Sequence, residues 1–378
     1  MTVGRNADVG RSAEVLLVTP RYYPDSGGIE THVQQVSRRL AIRGIRVAVL
    51  TSDRSRELPS TFADDGFTVE RVPAWPRRRD YYFAPGIWRR VVDGPESIIH
   101  CQGIHTLVPV IAMLAAVRSH KPFVVTFHTG GHSSGLRNIM RRLQFKLLAP
   151  LVNRALALVA VSRFERDWFQ QILGAPDEKM YVIRNGGSLP SVTAAPTDGE
   201  VLVSVGRLEQ YKGHHRLIEA LPQIRAIRPS ARVVILKSGP AESELREQAL
   251  RLGVSDAVEI TSLPSADRTA MAQRIAGAAI MVLLSDFESH RIAVMEALAL
   301  GRPVLVRRNS GMSELVDAGL VDGIDDDADV NAVAAAIVAM LEVPVRSADI
   351  GEALPTWDTC TDGLFEIYRS LDEHLRAR

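Results

Sequence analysis

The stretch "AIMVLLSDFESHRIAVMEALALGRPVLVRR", residues 279–308, decides the fold. A continuous apolar run gives way to a polar turn, an alanine-rich segment of helical spacing, a Gly-Arg-Pro break and a second apolar run. Strand, helix and strand within about 30 residues make a βαβ unit. Its strands run parallel with both faces covered, so their apolar residues run on instead of alternating. Glu288 falls in the turn, Glu296 about one turn into the helix, and His290 and Arg291 lie between them. Read alone, either glutamate is satisfied by an exposed helix start. Read as a pair, they flank a helix N-terminus whose free N–H groups around Arg291–Ala293 suit a phosphate, with Ser289 as a candidate cap.

The same unit repeats outward in both directions. Strand-like runs "EVLLVT", "RVAVLT", "FTVERV", "SIIHCQ", "FVVTFH", "LALVAV" and "MYVIRN" form a first series. "VLVSVG", "RVVILK", "AVEITS", "AIMVLL" and "PVLVRR" form a second, with amphipathic segments between most of them. The fold class expected is α/β, two Rossmann-like doubly wound domains facing across a cleft. The break is the Gly-, Pro-, Ser- and Thr-rich stretch 185–200. Residues 1–13 read as a flexible tail, 14–190 as the first domain, 191–200 as a linker and 201–356 as the second domain. The segment "LFEIYRSLDEHLRAR" is a helix beyond the last strand.

Composition narrows the function. Of 378 residues 46% are hydrophobic and 24% charged, ordinary for a globular protein. Forty-five basic residues against 44 acidic ones leave a net charge of +1, so no overall field calls for nucleic acid. Two cysteines make neither a disulfide framework nor a metal site, which suits a reducing cytosol. No apolar run approaches the about 18 residues of a membrane span.

Ligands of open α/β sheets bind beyond the carboxyl ends of the strands. There Gly27 and Gly28 follow the first strand, where the missing Cβ lets backbone amides approach an anion. Their spacing is not the G-x-G-x-x-G of a nicotinamide site. Arg207 and Lys212 follow the first strand of the second series, where two cations can neutralise a diphosphate.

Together these turns resemble the retaining glycosyltransferases of family four, built on the GT-B fold. The resemblance rests on "SGGIETHV", the intact "GRLEQYKG", the E-x7-E pair Glu288 and Glu296, and the "EALALGRPV" tail. Weaker echoes are "TFHTG" (His128), "VAVSRFERDWF" (Ser162), "VIRNGG" (Asn185, Gly186) and "SGMSELV". It implies a nucleotide-diphosphate sugar as co-substrate, no further cofactor and no bound metal. It assigns Arg207 and Lys212 to the departing diphosphate, Glu288 to the transferred sugar, Glu296 to the ribose, and His128 to the donor sugar near the reacting centre. Backbone around Gly28 and Ile292 would cradle phosphate, with Ala293 beside it, and Leu263 of "TSLP" would lie near the base. The acceptor, a sugar, lipid-linked or small molecule, would meet the first domain, to which the last helix (about 357–378) would return.

The chain departs from that pattern at His290 and Arg291, where a small residue and glycine are usual, and at "KSGP" (Lys237, Ser238) in place of a glycine-rich turn. Arg291 is expected to alter donor contacts. Two other readings stay open: a sugar-nucleotide epimerase or hydrolase of the same fold, and a non-catalytic nucleotide-sugar- or glycan-binding relative. "WPRRRDYYFAPGIWRR" (75–90) and the basic amphipathic "LRNIMRRLQFKLLAPLVNR" suit an anionic lipid surface or a phosphorylated acceptor, or a solvated loop and an ordinary helix.

Overall fold

The computed structural model describes residues 14–25, 27–77, 82–128, 135–192, 200–264, 267–342 and 354–376. The proposed tail, most of the linker, Thr129 and Gly130 of "TFHTG", and Arg78 and Arg79 of the basic stretch lie outside them.

Two sheets organise the described residues. The first runs in the order β3 (Thr61–Asp64), β4 (Phe67–Pro73), β2 (Arg46–Asp53), β1 (Glu14–Val18), β5 (Ile98–Gln102), β6 (Phe123–Thr126), β7 (Ala157–Ala160), β8 (Met180–Val182). The second runs β11 (Val258–Thr261), β10 (Arg232–Leu236), β9 (Val201–Val205), β12 (Ile280–Leu283), β13 (Val304–Arg307), β14 (Asp322–Ile324). Helices α1 (Gly28–Ile42), α2 (Gly86–Asp93), α3 (Leu107–Arg118), α4 (Gly135–Val152) and α5 (Arg163–Leu173) belong to the first sheet. Helices α6 (His214–Ile227), α7 (Glu242–Arg251), α8 (Arg268–Ala276), α9 (Ile292–Ala299), α10 (Met312–Asp317) and α11 (Val330–Glu342) belong to the second, and α12 (Trp357–Arg376) follows.

The central strands are buried along their whole length, as continuous apolar runs in parallel sheets require. Two strands escape the sequence reading. β3 pairs antiparallel with β4 across the Asp65–Gly66 turn, and its half-exposed residues carry no apolar signal. β14 has three residues, two of them exposed. Conversely, only Met180–Val182 of "MYVIRN" joins the sheet.

The last helix packs on the first domain. Trp357, Cys360, Leu364 and Tyr368 share a core with Val15, Leu17, Val36 and Leu40. Arg39 pairs with Asp358 at 3.1 Å and Arg43 with Asp362 at 2.6 Å along the same seam. The chain crosses between the sheets at Gly186–Gly187. A Cβ on Gly186 would overlap the backbone of Thr356 and Trp357, and one on Gly187 that of Met295 and Glu296.

In each sheet the strand order reverses beside the first strand of that half. The reversals lie between β1 and β5 and between β9 and β12. Such switch points open a crevice at the strands' carboxyl ends, and the turns after these four strands, with the one after β6, carry the candidate site.

Candidate active site

The turn after β9 and the turn after β12 interlock. Gly213 ends the short Gln210–Lys212 turn at φ +72°, and a Cβ there would strike the Leu284 carbonyl. Glycine alone lets the two turns approach so closely, and the approach delivers Lys212 to Glu288. Both side chains are buried, and Lys212 Nζ lies 2.7 Å from Glu288 Oε1. Ser285 Oγ donates to the same oxygen at 2.9 Å, and Arg291 Nη1 stands 3.4 Å from it. These contacts converge on Oε1. Burial alone would raise the Glu288 carboxyl, but Arg291 and Lys212 outweigh it and hold the group below the usual carboxylate range. Burial and the Arg291 charge push Lys212 down to about 8, against the pull of Glu288.

Arg291 lies across Gly206 and donates from Nη2 to the Val205 carbonyl at 2.9 Å, at the end of β9. It is also the N-cap residue of α9, with extended backbone and no side-chain cap bond. The cap expected of Ser289 is therefore absent: its hydroxyl instead lies 3.2 Å from that of Ser162 in the first domain. Ser162 caps α5 by accepting from the Glu165 amide, while Glu165 reaches back to the Val161 amide, a capping arrangement that puts the serine at the domain seam. His290 is buried with neither ring nitrogen hydrogen-bonded among the described residues, and burial beside Arg184 pushes it down to about 3, so it is neutral.

Glu296 is buried rather than an exposed helix-start residue, and it pairs with Arg268 of α8. Burial raises its carboxyl, only partly countered by Arg268 and Lys237. Arg207 stands apart. Its side chain is 61% exposed and pairs with Glu209 at 3.3 Å, away from the Lys212–Glu288 contact. Leu263 is half-buried against the second domain's core.

Across the cleft, a Cβ on Gly28 would lie 3.7 Å from Ile292 Cδ1, so the glycine turn faces the start of α9. The Glu30 carboxylate folds back over Gly27, and its burial pushes it up to about 7. His128, at the end of β6, contacts Gln102 Oε1 through Nε2 at 2.8 Å and stands edge-to-face with His32, ring centroids 4.8 Å apart. His32 Nδ1 in turn meets Asn185 Oδ1 at 2.8 Å.

The structure thus gathers Lys212, Glu288, Arg291, Ile292, Ala293 and Gly28 at one crevice. Glu296 sits one turn deeper, His128 lies on the opposite wall and Arg207 at the rim. The sequence reading did not single out Arg268, Gln102 or His32. Arg268 precedes its partner Glu296 by 28 residues with no local signal. Gln102 is marked only by ending the strand next to β1, which takes the strand order to see.

Comparison with known proteins agrees with this architecture. The Glycosyltransferase Family 4 model matches residues 26–188, and the Glycosyl transferases group 1 model matches residues 188–357. D-inositol 3-phosphate glycosyltransferase 2 of Catenulispora acidiphila is 27% identical over 93% of this chain and 92% of its own length. The phosphatidyl-myo-inositol mannosyltransferase of Mycolicibacterium smegmatis is 28% identical over 86% and 84%. Among solved structures, Anabaena HepE in complex with UDP and glucose superposes with a TM-score of 0.75 at 20% identity, covering 95% of this chain and all of that one (100%). Sucrose-phosphate synthase of Thermosynechococcus elongatus gives 0.77 at 19% identity, over 96% and 100%. With paired family models running from residue 26 to 357 over a GT-B fold, the chain belongs to the group 1 glycosyltransferases of family four, enzymes that take a sugar from a nucleotide sugar.

Proposed function

We propose that this enzyme transfers its sugar with retention of anomeric configuration and without a metal ion, the donor lying on the second domain. The observation that carries the reading is the Lys212–Glu288–Arg291 cluster at the β9/β12 switch point, its lysine and glutamate buried. Its two cations, with Arg207 at the rim, supply positive charge where a diphosphate gains charge as the glycosidic bond breaks. The amides of Ile292 and Ala293 open α9 and add its dipole to that charge. Glu288, fixed through Oε1, offers Oε2 to the sugar hydroxyls, and Glu296, oriented by Arg268, accepts from the ribose. With Glu288 tied into ion pairs, the departing phosphate oxygen takes the acceptor's proton, and attack from the same face preserves configuration. The relatives' names point to a phosphorylated or lipid-linked polyol as acceptor.

The test is nucleoside diphosphate release from a panel beginning with UDP-glucose and GDP-mannose, with and without myo-inositol phosphates, in the presence of EDTA. The one-bond C1–H1 coupling at the anomeric centre of the product reports configuration. Acceptor-dependent release with retention supports the reading. Isomerisation without acceptor favours an epimerase, binding without turnover favours a non-catalytic relative, and loss of activity in EDTA refutes metal independence.

One observation favours contact with a membrane as well. On α4, Met140, Leu143 and Leu147 form an exposed apolar stripe at helical spacing, with Arg142 and Lys146 exposed beside it. Trp75, Phe83 and Trp88 are further exposed on the first domain. An anionic lipid surface satisfies both characters. Co-sedimentation with phosphatidylglycerol vesicles at low salt, absent with phosphatidylcholine, is the expected result; no binding to either ends this reading.

A further inference from the structure

Two places where the chain departs from its family's pattern, Arg291 and the turn "KSGP" (237–240), meet in the structure. Leu236, the last residue of β10, is in register with Val205, the last of β9, and the Gly206 amide donates to the Leu236 carbonyl at 3.2 Å. Lys237 therefore leaves β10 beside Gly206, over which the Arg291 guanidinium lies on its way to the Val205 carbonyl. The two added cations belong to the carboxyl ends of neighbouring strands, whose backbones run about 4.8 Å apart.

Lys237 keeps its place against local preference. Among the described residues five besides glycine have positive φ. Arg56, Asp65, His120 and Ser310 lie between 41° and 63°, near the left-handed helical well; Lys237 lies at 139°, where a Cβ is strained and glycine is at ease. Bonds on either side impose that conformation. The Lys237 amide donates to the Thr261 carbonyl at 2.9 Å, the Leu208 amide donates to the Ser238 carbonyl at 3.2 Å, and a Cβ on Gly239 would overlap the Leu208 backbone. Strain of this kind collects at functional sites.

The side chain gives the strain a use. Half-buried, it stands between the domains, within the fields of Arg268, Glu296 and Arg291 on one side and of Glu30, in the first turn of α1, on the other. Burial holds its ammonium below the usual lysine range, with Arg268 and Arg291 adding to the effect. Glu296 is already paired with Arg268, and Glu288 with Lys212 and Arg291. Glu30, pushed up to about 7 by burial, carries only part of a charge near that pH. Positive charge thus exceeds what these carboxylates balance, and an anion entering the crevice relieves the excess.

We propose that Lys237 is a donor-reading residue that sets this chain apart from its family's pattern, its strained backbone holding a cation beside Arg291 against the diphosphate of the nucleotide sugar. The proposal rests on the reading that the donor lies on the second domain. The charge meets the diphosphate before and after transfer alike, so Lys237 serves binding of the nucleotide more than the chemical step.

Three substitutions separate charge from strain. Lys237→Met keeps the stem and the strained backbone and loses the charge, Lys237→Gly loses both, and Lys237→Arg keeps both. Calorimetric titration with UDP, GDP and ADP identifies the nucleotide that wild type binds. Its Kd should rise about tenfold in Lys237→Met and Lys237→Gly, the size of one charge-assisted contact, and stay within a few fold of wild type in Lys237→Arg. The donor KM should follow the Kd with kcat little changed. Lys237→Gly alone should unfold at a higher denaturant concentration than wild type, because the strain is gone. Unchanged affinity in Lys237→Met and Lys237→Gly, or a loss in Lys237→Arg equal to that in Lys237→Met, overturns the charge contact. A Lys237→Gly protein no more stable than Lys237→Met overturns the role of strain. If wild type binds none of the three nucleotides, the donor reading falls and takes the proposal with it; if it binds one and the variants bind it equally well, Lys237 alone is overturned.

Discussion

At the carboxyl end of β12 a carboxylate is held by a lysine and an arginine; at the carboxyl end of β6 a neutral imidazole is held by a neutral amide. One wall of the cleft works with buried ions, the other with buried dipoles. The two halves share a topology, with Glu288 and His128 each in a turn that follows a strand, yet one turn gathers charges and the other gathers neutral dipoles. A diphosphate that gains charge is stabilised by fixed cations. Hydroxyls that change no charge are read by lone pairs and N–H groups, whose burial costs less than that of ions.

The contrast breaks most sharply at the charged wall. Lys212→Ala and Glu288→Ala are each expected to lower transfer about 10²–10³-fold and to destabilise the fold by about 3 kcal/mol, because each breaks a buried ion pair from one side. The double variant should unfold at a higher denaturant concentration than either single one. Near-wild-type rates in both singles would remove this wall from the mechanism.

Arg291→Gly comes next. It removes the bond to the Val205 carbonyl and takes one cation from Glu288, so a fall in kcat of about tenfold is expected from the loss of a charge-assisted contact. A severalfold gain would show instead that the guanidinium crowds the donor. Arg268→Ala should raise the donor KM by roughly as much with kcat little changed, since Glu296 loses its partner and protonates more readily.

A smaller effect follows from pH, with opposite signs for binding and stability. Lys212 titrates at about 8 in the fold against an ordinary 10.5. Its charge is lost as pH rises through 8, so the donor KM should grow about threefold across the unit centred there. Between about 8 and 10.5 the unfolded chain binds the extra proton, so this group's contribution to folding stability increases with pH over that window and is least favourable below it. Both trends should vanish in Lys212→Met.

Much of this was legible in the residues themselves. Continuous apolar runs announced buried parallel strands, and the Gly27–Gly28, Arg207–Lys212 and Glu288–Glu296 turns announced a cleft. Local pattern could not show which turns touch. That Arg268 reaches Glu296, that Gln102 stands beside His128, and that Ser289 leaves its helix for Ser162 depend on strand order and domain packing. β3 and β14 were missed because short, half-exposed strands carry no apolar signature. Arg291 departs from its family's pattern in sequence, but its bond to the Val205 carbonyl follows from how the turns after β9 and β12 pack.

The seat of α12 has a consequence for how the molecule is made. Tyr368 hydrogen-bonds His100, 268 residues earlier in the chain, and Trp357 and Leu364 close the same wall. During synthesis the strands of the first sheet emerge first, yet that wall is absent until the second domain has been translated. An early-emerging domain elsewhere finishes folding while translation continues. Here the part of the core that α12 adds beside Val15, Leu17 and Val36 is supplied only after the second domain. A fragment covering residues 14–192 should therefore aggregate when expressed alone and be rescued by co-expression of a segment carrying α12.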